Sequence, residues 1–181
     1  PVENQADLER RLAQCAVHFG ARGLGWALWL CQDWIPQPLR RRLRPSFQSR
    51  QLRHAVDLPG MVSEGLLPPH DPEPQLEIRR VRGGAVREDF CAVGSACFGV
   101  PLNWFREVFS GEGVWDEFAS WVAYEDGKPV ATAAAVTAAG AIGLYNIGTL
   151  PAYQRRGYGE AMTRHAFEEA RRACGFERSI L

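Results

Sequence analysis

Apolar and polar residues alternate over Leu76–Val81 ("LEIRRV"), the period of a half-buried strand. Val86–Gly99 instead spaces its apolar residues near the helical repeat and opens with acidic residues, which predicts a helix. Pro101 opens a second, short helix with Leu102, Phe105, Val108 and Phe109 on one face. The stretch "ASWVAYEDGKPVATAAAV" predicts two strands joined at Asp126–Gly127, a pair that tolerates positive φ at both turn positions. Gly140–Leu150 predicts another strand, broken by Gly143 and Gly148, where a bulge or a close approach is expected. A helix runs from the following turn to about Cys174, Gly175 stops it, and "FERSIL" begins one more strand. The order strand, helix, helix, three strands, helix, strand predicts an α/β fold with a mixed sheet.

Upstream, "LLPPHDPEPQ" (Leu66–Gln75) holds four prolines, which remove backbone donors and favour an extended linker. It separates an N-terminal part, residues 1–65, from a C-terminal part, residues 76–181. Leu8–Leu30 reads as helix, glycine, strand, and Met162–Leu181 reads the same way. Pro38–Phe47 is helical in part and Arg50–Met61 predicts a strand. Two readings stay open for residues 1–65: ordinary amphipathic α/β units, or a partial copy of the C-terminal part.

Composition narrows the function. Hydrophobic residues make up 46% of the chain, enough for a sizeable core. Acidic and basic residues number 21 each, so the formal net charge is zero, unlike the basic excess of a bulk nucleic-acid binder. The five cysteines, Cys15, Cys31, Cys91, Cys97 and Cys174, include no Cys-x-x-Cys pair, which argues against a disulfide framework or a structural zinc site. Reduced thiols and a cytoplasmic location are the expectation, with no metal. The longest apolar run, Gly23–Cys31, is far below the roughly 20 residues of a membrane-spanning helix, so no membrane partner is expected.

The candidate chemistry lies in "QRRGYG", Gln154–Gly159, between an apolar strand and a helix. Gly157 and Gly159 let a ligand approach the backbone, and the first turn of a helix leaves N–H groups unpaired. Arg155 and Arg156 supply donors suited to phosphate. Together they describe a pyrophosphate cradle at a helix N-terminus. The P-loop pattern fails for want of Gly-Lys-Ser/Thr, and the dinucleotide fingerprint fails because position 162 is methionine.

In its setting, "YNIGTLPAYQRRGYGEAM" (Tyr145–Met162) resembles motif A of the GCN5-related N-acetyltransferases, and residues 76–181 follow that family's order of elements. The resemblance implies acetyl-CoA as cosubstrate and an amine, small molecule or peptide, as acceptor. It implies that Gln154, Arg155, Arg156, Gly157, Tyr158, Gly159 and Glu160 hold the CoA pyrophosphate, mainly through backbone N–H groups. Ile147, Gly148 and Thr149 would lie beside pantetheine, at a bulge where one N–H polarises the thioester carbonyl.

Where family members often place a glutamate, on the strand entering motif A, this chain has Tyr145 and Asn146, the catalytic candidates. Tyr124 and Glu125 lie near the hairpin, and Glu125 also reads as a solvated turn residue. His165, His18 and His54 read as packing or surface histidines. The family's usual general acid is a tyrosine on the helix after the next strand, and the sequence stops at Leu181, ahead of that helix. The resemblance thus implies an acetyltransferase fold incomplete after its fifth strand, cut from a longer protein, with residues 1–65 a degenerate half-domain. An edge left open at Ser179–Leu181 would pair with a second copy as a homodimer. Direct transfer of an acetyl group to an amine is the main functional expectation, and a non-catalytic CoA-binding sensing module is the alternative.

Overall fold

The computed structural model describes residues 2–69, 72–111 and 113–181, and the chain divides into two units, Pro1–Leu58 and Pro59–Leu181. Two residues of the expected 66–75 linker, His70 and Asp71, lie outside the described residues.

The first unit is helical. Helix α1 (Gln5–Gly20) starts at Asn4, whose side chain accepts a hydrogen bond from the Asp7 amide at 3.0 Å. Asp7 in turn pairs with Arg10 and Arg11 at 2.5 and 3.0 Å. Helix α2 (Gln37–Gln48) follows, and the Gln5 amide of α1 donates to the Ser46 hydroxyl of α2 at 2.7 Å. Leu8, Leu12, Ile35 and Leu39 are the buried apolar residues of this unit. The strands expected within 24–31 and 50–61 do not form: no strand occurs among the unit's described residues. A strand needs a neighbour to take its backbone groups, and this unit supplies none; Leu24, Leu28 and Trp29 stay exposed. The unit therefore shows none of the sheet that a half-domain of the family would carry.

The second unit is a six-stranded sheet with helices on both faces. In chain order its elements are β1 (Val62–Glu64), β2 (Glu77–Arg80), α3 (Gly84–Phe98), α4 (Leu102–Val108), α5 (Val114–Glu117), β3 (Ala119–Glu125), β4 (Lys128–Ala138), β5 (Ala141–Thr149), α6 (Tyr158–Cys174) and β6 (Arg178–Ile180). The sheet order is β1-β6-β5-β4-β3-β2. All neighbours are antiparallel except β5 and β6, which are parallel across the α6 crossover. The Asp126–Gly127 turn joins β3 to β4 with φ of +50° and +74°, the left-handed values its sequence predicts.

Strand alternation divides the core into two layers. Trp121, Ala123, Ala131 and Ala133 face α6, whose Met162, Ala166 and Phe167 are buried against them. Val122, Tyr124 and Ala134 face the other way, onto Phe90, Phe105, Phe109 and Trp115 of α3–α5. Alanine fills β4 from 131 to 135 save for Thr132, so both helical layers approach the sheet closely at its centre.

The expectation of a fold incomplete after the fifth strand is overturned. Counted from Leu76 there are five strands, but Val62–Glu64 supplies a sixth, antiparallel to β6. Met61 and Leu181 exchange both backbone hydrogen bonds, at 2.8 and 3.0 Å, and Gly65 N donates to Glu177 O at 2.8 Å. Ser179–Leu181 is thus a paired strand, and the open edge expected there is absent. Three exposed residues carry no alternation to read, which hid β1 from pattern analysis.

Candidate functional site

Strand β5 leaves the ladder twice. Thr149 and Gly148 pair with Ala131 and Thr132, then Tyr145 pairs with Ala134, so Asn146 and Ile147 together oppose Ala133 alone. Asn146 takes φ of +48°, and its carbonyl accepts from the buried Thr132 hydroxyl at 2.9 Å. That hydroxyl satisfies a group the bulge has pulled out of the ladder.

On its other side β5 pairs with β6 only at Ile142 and Gly143. From Leu144 to Thr149 no strand lies there among the described residues. Leu150 N donates to Val130 O at 2.9 Å, which fixes the alternation. The Gly148 amide therefore points towards β4, and the Ile147 and Thr149 amides point to the open side. The sheet presents a short run of unpaired backbone ending at the Thr149 carbonyl, which accepts from Gln154 Nε2 at 3.1 Å.

The turn after β5 runs straight into α6. Arg155 and Gly157 have φ of +63° and +79°, with Arg156 between them on the ordinary side. Alternation of this kind turns successive N–H groups towards one concavity. Gly157 caps α6 without a side-chain hydrogen bond, and the Tyr158 and Gly159 amides have no partner among the described residues. The helix dipole adds to their pull on an anion.

Four side chains of the expected phosphate-binding run, Gln154, Arg156, Tyr158 and Glu160, are engaged within the protein. Arg156 pairs with Glu125 at 3.3 Å, donates to Ala152 O at 3.3 Å and lies 5.2 Å from the Tyr153 ring centroid. Gln154 is held on Thr149. Tyr158, buried, donates its hydroxyl to the other Glu125 oxygen. That hydrogen bond, with burial, raises the Tyr158 pKa above the usual phenol value. Glu125, two strands away in sequence, thus braces the turn through Arg156 and Tyr158. It reads as a hairpin surface residue because nothing local marks a partner 31 residues downstream. Arg155 is exposed, and its side chain makes no hydrogen bond or ion pair among the described residues. Glu160 pairs with Arg164 at 2.7 Å.

On the α3 side of the bulge, a Cβ on Gly148 would stand 2.9 Å from Cys97 Cβ and 3.6 Å from the Phe98 ring. Tyr145 faces the same way, its ring laid back over Gly143, and it is 47% exposed. Tyr124 is instead buried, donating to Asp89 at 2.7 Å beneath the Arg79 guanidinium. Burial first and the Asp89 carboxylate second raise its pKa strongly, and it locks α3 to β3. His165 lies edge-on to Trp121 at 5.6 Å, and burial lowers its pKa. His54 pairs with Asp57 at 2.9 Å, and the His18 ring lies 5.1 Å from Phe19. Among the described residues no cluster of three or more His, Cys, Asp or Glu is placed to hold a metal ion, and no helix is long and apolar enough to cross a membrane.

Residues 86–181, which hold the bulged, splayed strand and the uncapped glycine turn, match the acetyltransferase (GNAT) family model. The chain belongs to that family. Among solved structures it is similar to a GCN5-related N-acetyltransferase from Kribbella flavida, at 19% identity and a TM-score of 0.65, covering 98% of this chain and 66% of that one. It also resembles a conserved protein of unknown function from Staphylococcus epidermidis, at 20% identity and a TM-score of 0.49, covering 61% and 44%. The chain spans less than two thirds of the length of either. No curated protein matches it in sequence.

Proposed function

We propose that the second unit binds acetyl-CoA and transfers its acetyl group to an amine. One observation carries this reading: the open backbone of Ile147–Thr149 runs directly into the unpaired amides of Tyr158 and Gly159. That is an extended peptide-pairing edge followed by an anion site, the two halves of a pantetheine pyrophosphate. Ile147, Gly148 and Thr149 line pantetheine. Gln154, Arg156 and Tyr158 hold the turn in shape, Gly157 and Gly159 let the pyrophosphate reach the amides, and Arg155 and Glu160 stand at the rim.

The Ile147 N–H donates to the thioester carbonyl oxygen and stabilises the oxyanion formed on attack. The neutral amine nitrogen bonds to the carbonyl carbon, the C–S bond breaks, and the proton lost by nitrogen balances the thiolate released. Asn146 and Tyr145 are the side chains beside that carbon, suited to orient the amine or a water that takes its proton.

The experiment is calorimetric titration with CoA on the wild type and on Gly157→Glu, followed by thiol release from acetyl-CoA with an amine panel. The substitution sets a carboxylate beside the pyrophosphate at a left-handed position, so binding is expected to fall by more than about 100-fold. Unchanged CoA affinity in that variant sinks the assignment of the turn. A second reading, a CoA-binding module without turnover, is favoured by the lack of a carboxylate or histidine at Tyr145–Asn146. CoA binding without thiol release in any amine would select it.

A further inference from the structure

We infer that Glu125 is a positioning residue for the pyrophosphate site: it holds the turn in its anion-binding shape without touching the cofactor. The inference rests on the CoA reading above and adds a residue that lies outside the motif. Glu125 is the last residue of β3, fixed across the Asp126–Gly127 turn by its ladder pairing with Lys128. Both of its carboxylate oxygens are engaged. One accepts from the Tyr158 hydroxyl, and the other accepts from Arg156 at 3.3 Å. The two residues it grips stand on either side of Gly157, 31 and 33 residues downstream.

The placement matters because Gly157 has no side chain by which to be held. Arg155 and Gly157 take φ of +63° and +79°, and for Arg155 that conformation carries a backbone cost. Such strain persists only where the surroundings over-determine it. Arg156 is tied at three points: Glu125, the Ala152 carbonyl at 3.3 Å and the Tyr153 ring. Tyr158 is the more direct link. Its N–H is one of the unpaired amides at the start of α6, and its hydroxyl end is anchored on Glu125. The grip therefore acts on the alternation that aims the amides. Charge and geometry pull in opposite directions here. A carboxylate near the turn opposes a pyrophosphate by charge alone, so a purely electrostatic role predicts tighter CoA binding once that charge is removed. A positioning role predicts weaker binding. The ion pair with Arg156 offsets the charge, which leaves geometry to decide.

The test is calorimetric titration of the 181-residue chain with CoA. Glu125→Gln keeps the shape of the side chain and an acceptor for Tyr158, but it loses the ion pair and turns Arg156 loose. It is expected to weaken CoA by about 5–20-fold. The same substitution made in an Arg156→Ala, Tyr158→Phe protein, where neither partner remains, should weaken CoA by less than about twofold. A general folding defect would persist in that background, whereas an effect carried through the two partners vanishes there. CoA binding as tight as the wild type or tighter in Glu125→Gln overturns the inference, and so does a loss of equal size in the background without partners. Either result, with normal CoA binding by the wild type, leaves the cofactor reading standing. Failure of the wild type to bind CoA overturns both.

Discussion

Gly148→Ala tests how closely the end of α3 approaches the bulge. Gly148 is outside the left-handed region, so alanine brings no backbone strain and the whole cost is steric. Its Cβ would stand 2.9 Å from Cys97 Cβ and 3.1 Å from Cys97 Sγ, against the roughly 3.5–4.0 Å of a comfortable carbon contact. The sulfur can swing away about χ1, but the Cys97 Cβ moves only with the helix backbone. Relief requires the end of α3 to lift off β5 by several tenths of an ångström. Overpacking of this kind costs about 1–3 kcal/mol. In a unit of this size that lowers the melting temperature by about 3–15 °C. Urea unfolding followed by far-UV circular dichroism reads the loss as a lowered midpoint with an unchanged slope. Measured against Cys97→Gly alone, which removes both offending atoms, Gly148→Ala should cost little, whereas against Cys97→Ala, which keeps the Cβ, it should cost nearly as much as in the wild type. Coupling between positions 97 and 148 of more than about 0.5 kcal/mol is expected. A Gly148→Ala protein as stable as the wild type, or one blind to Cys97→Gly, would refute this account of how α3 meets the bulge.

Tyr158→Phe removes the hydroxyl bound to Glu125, which keeps Arg156, so about 1 kcal/mol of stability should go. Because the Tyr158 pKa is raised in the folded state, its contribution is complete below the unfolded value near pH 10 and is lost as pH climbs through the folded value. The gap between Tyr158→Phe and the wild type should therefore close in strong alkali, and a gap that widens there would refute the assignment. In the first unit, hydrogen bonds from Arg11 and Arg10 lower the Asp7 pKa from 3.8 to about 2. Its stabilisation is present above pH 4 and is lost as pH falls towards 2, so Asp7→Asn should flatten the acid limb of the helix melt; an unaltered limb counts against it.

Local signals reported the second unit well. The Asp126–Gly127 hairpin, the broken strand at Gly140–Leu150 and the helix from Tyr158 to Cys174 all stand where period and turn chemistry put them. The interruption at Gly148 was legible too, although the residue that turns left-handed is Asn146, set by the Thr132 hydroxyl on another strand. What stayed hidden depends on partners distant in sequence. Val62–Glu64 is a strand only because β6 lies beside it, and Glu125 matters to the turn only through Arg156 and Tyr158. Conversely, Gly23–Cys31 has the composition of a strand and forms none, since apolar content cannot supply a hydrogen-bonding neighbour.

The clasp between β1 and β6 carries a kinetic consequence. The Glu64–Arg178 pair spans 114 residues and belongs to the pairing of greatest sequence separation in the sheet; closure entropy rises only slowly with that span, but the reward is no more than a three-residue ladder. Such a contact forms late. The meander of β3, β4 and β5, joined by tight turns, is the natural nucleus, and β1 should dock after the transition state is crossed. Substitutions in Val62–Glu64 would then leave the rate of folding almost untouched and act on the rate of unfolding instead. The same three residues cover the outer edge of β6, the strand that lies beside β5 where β5 begins to splay.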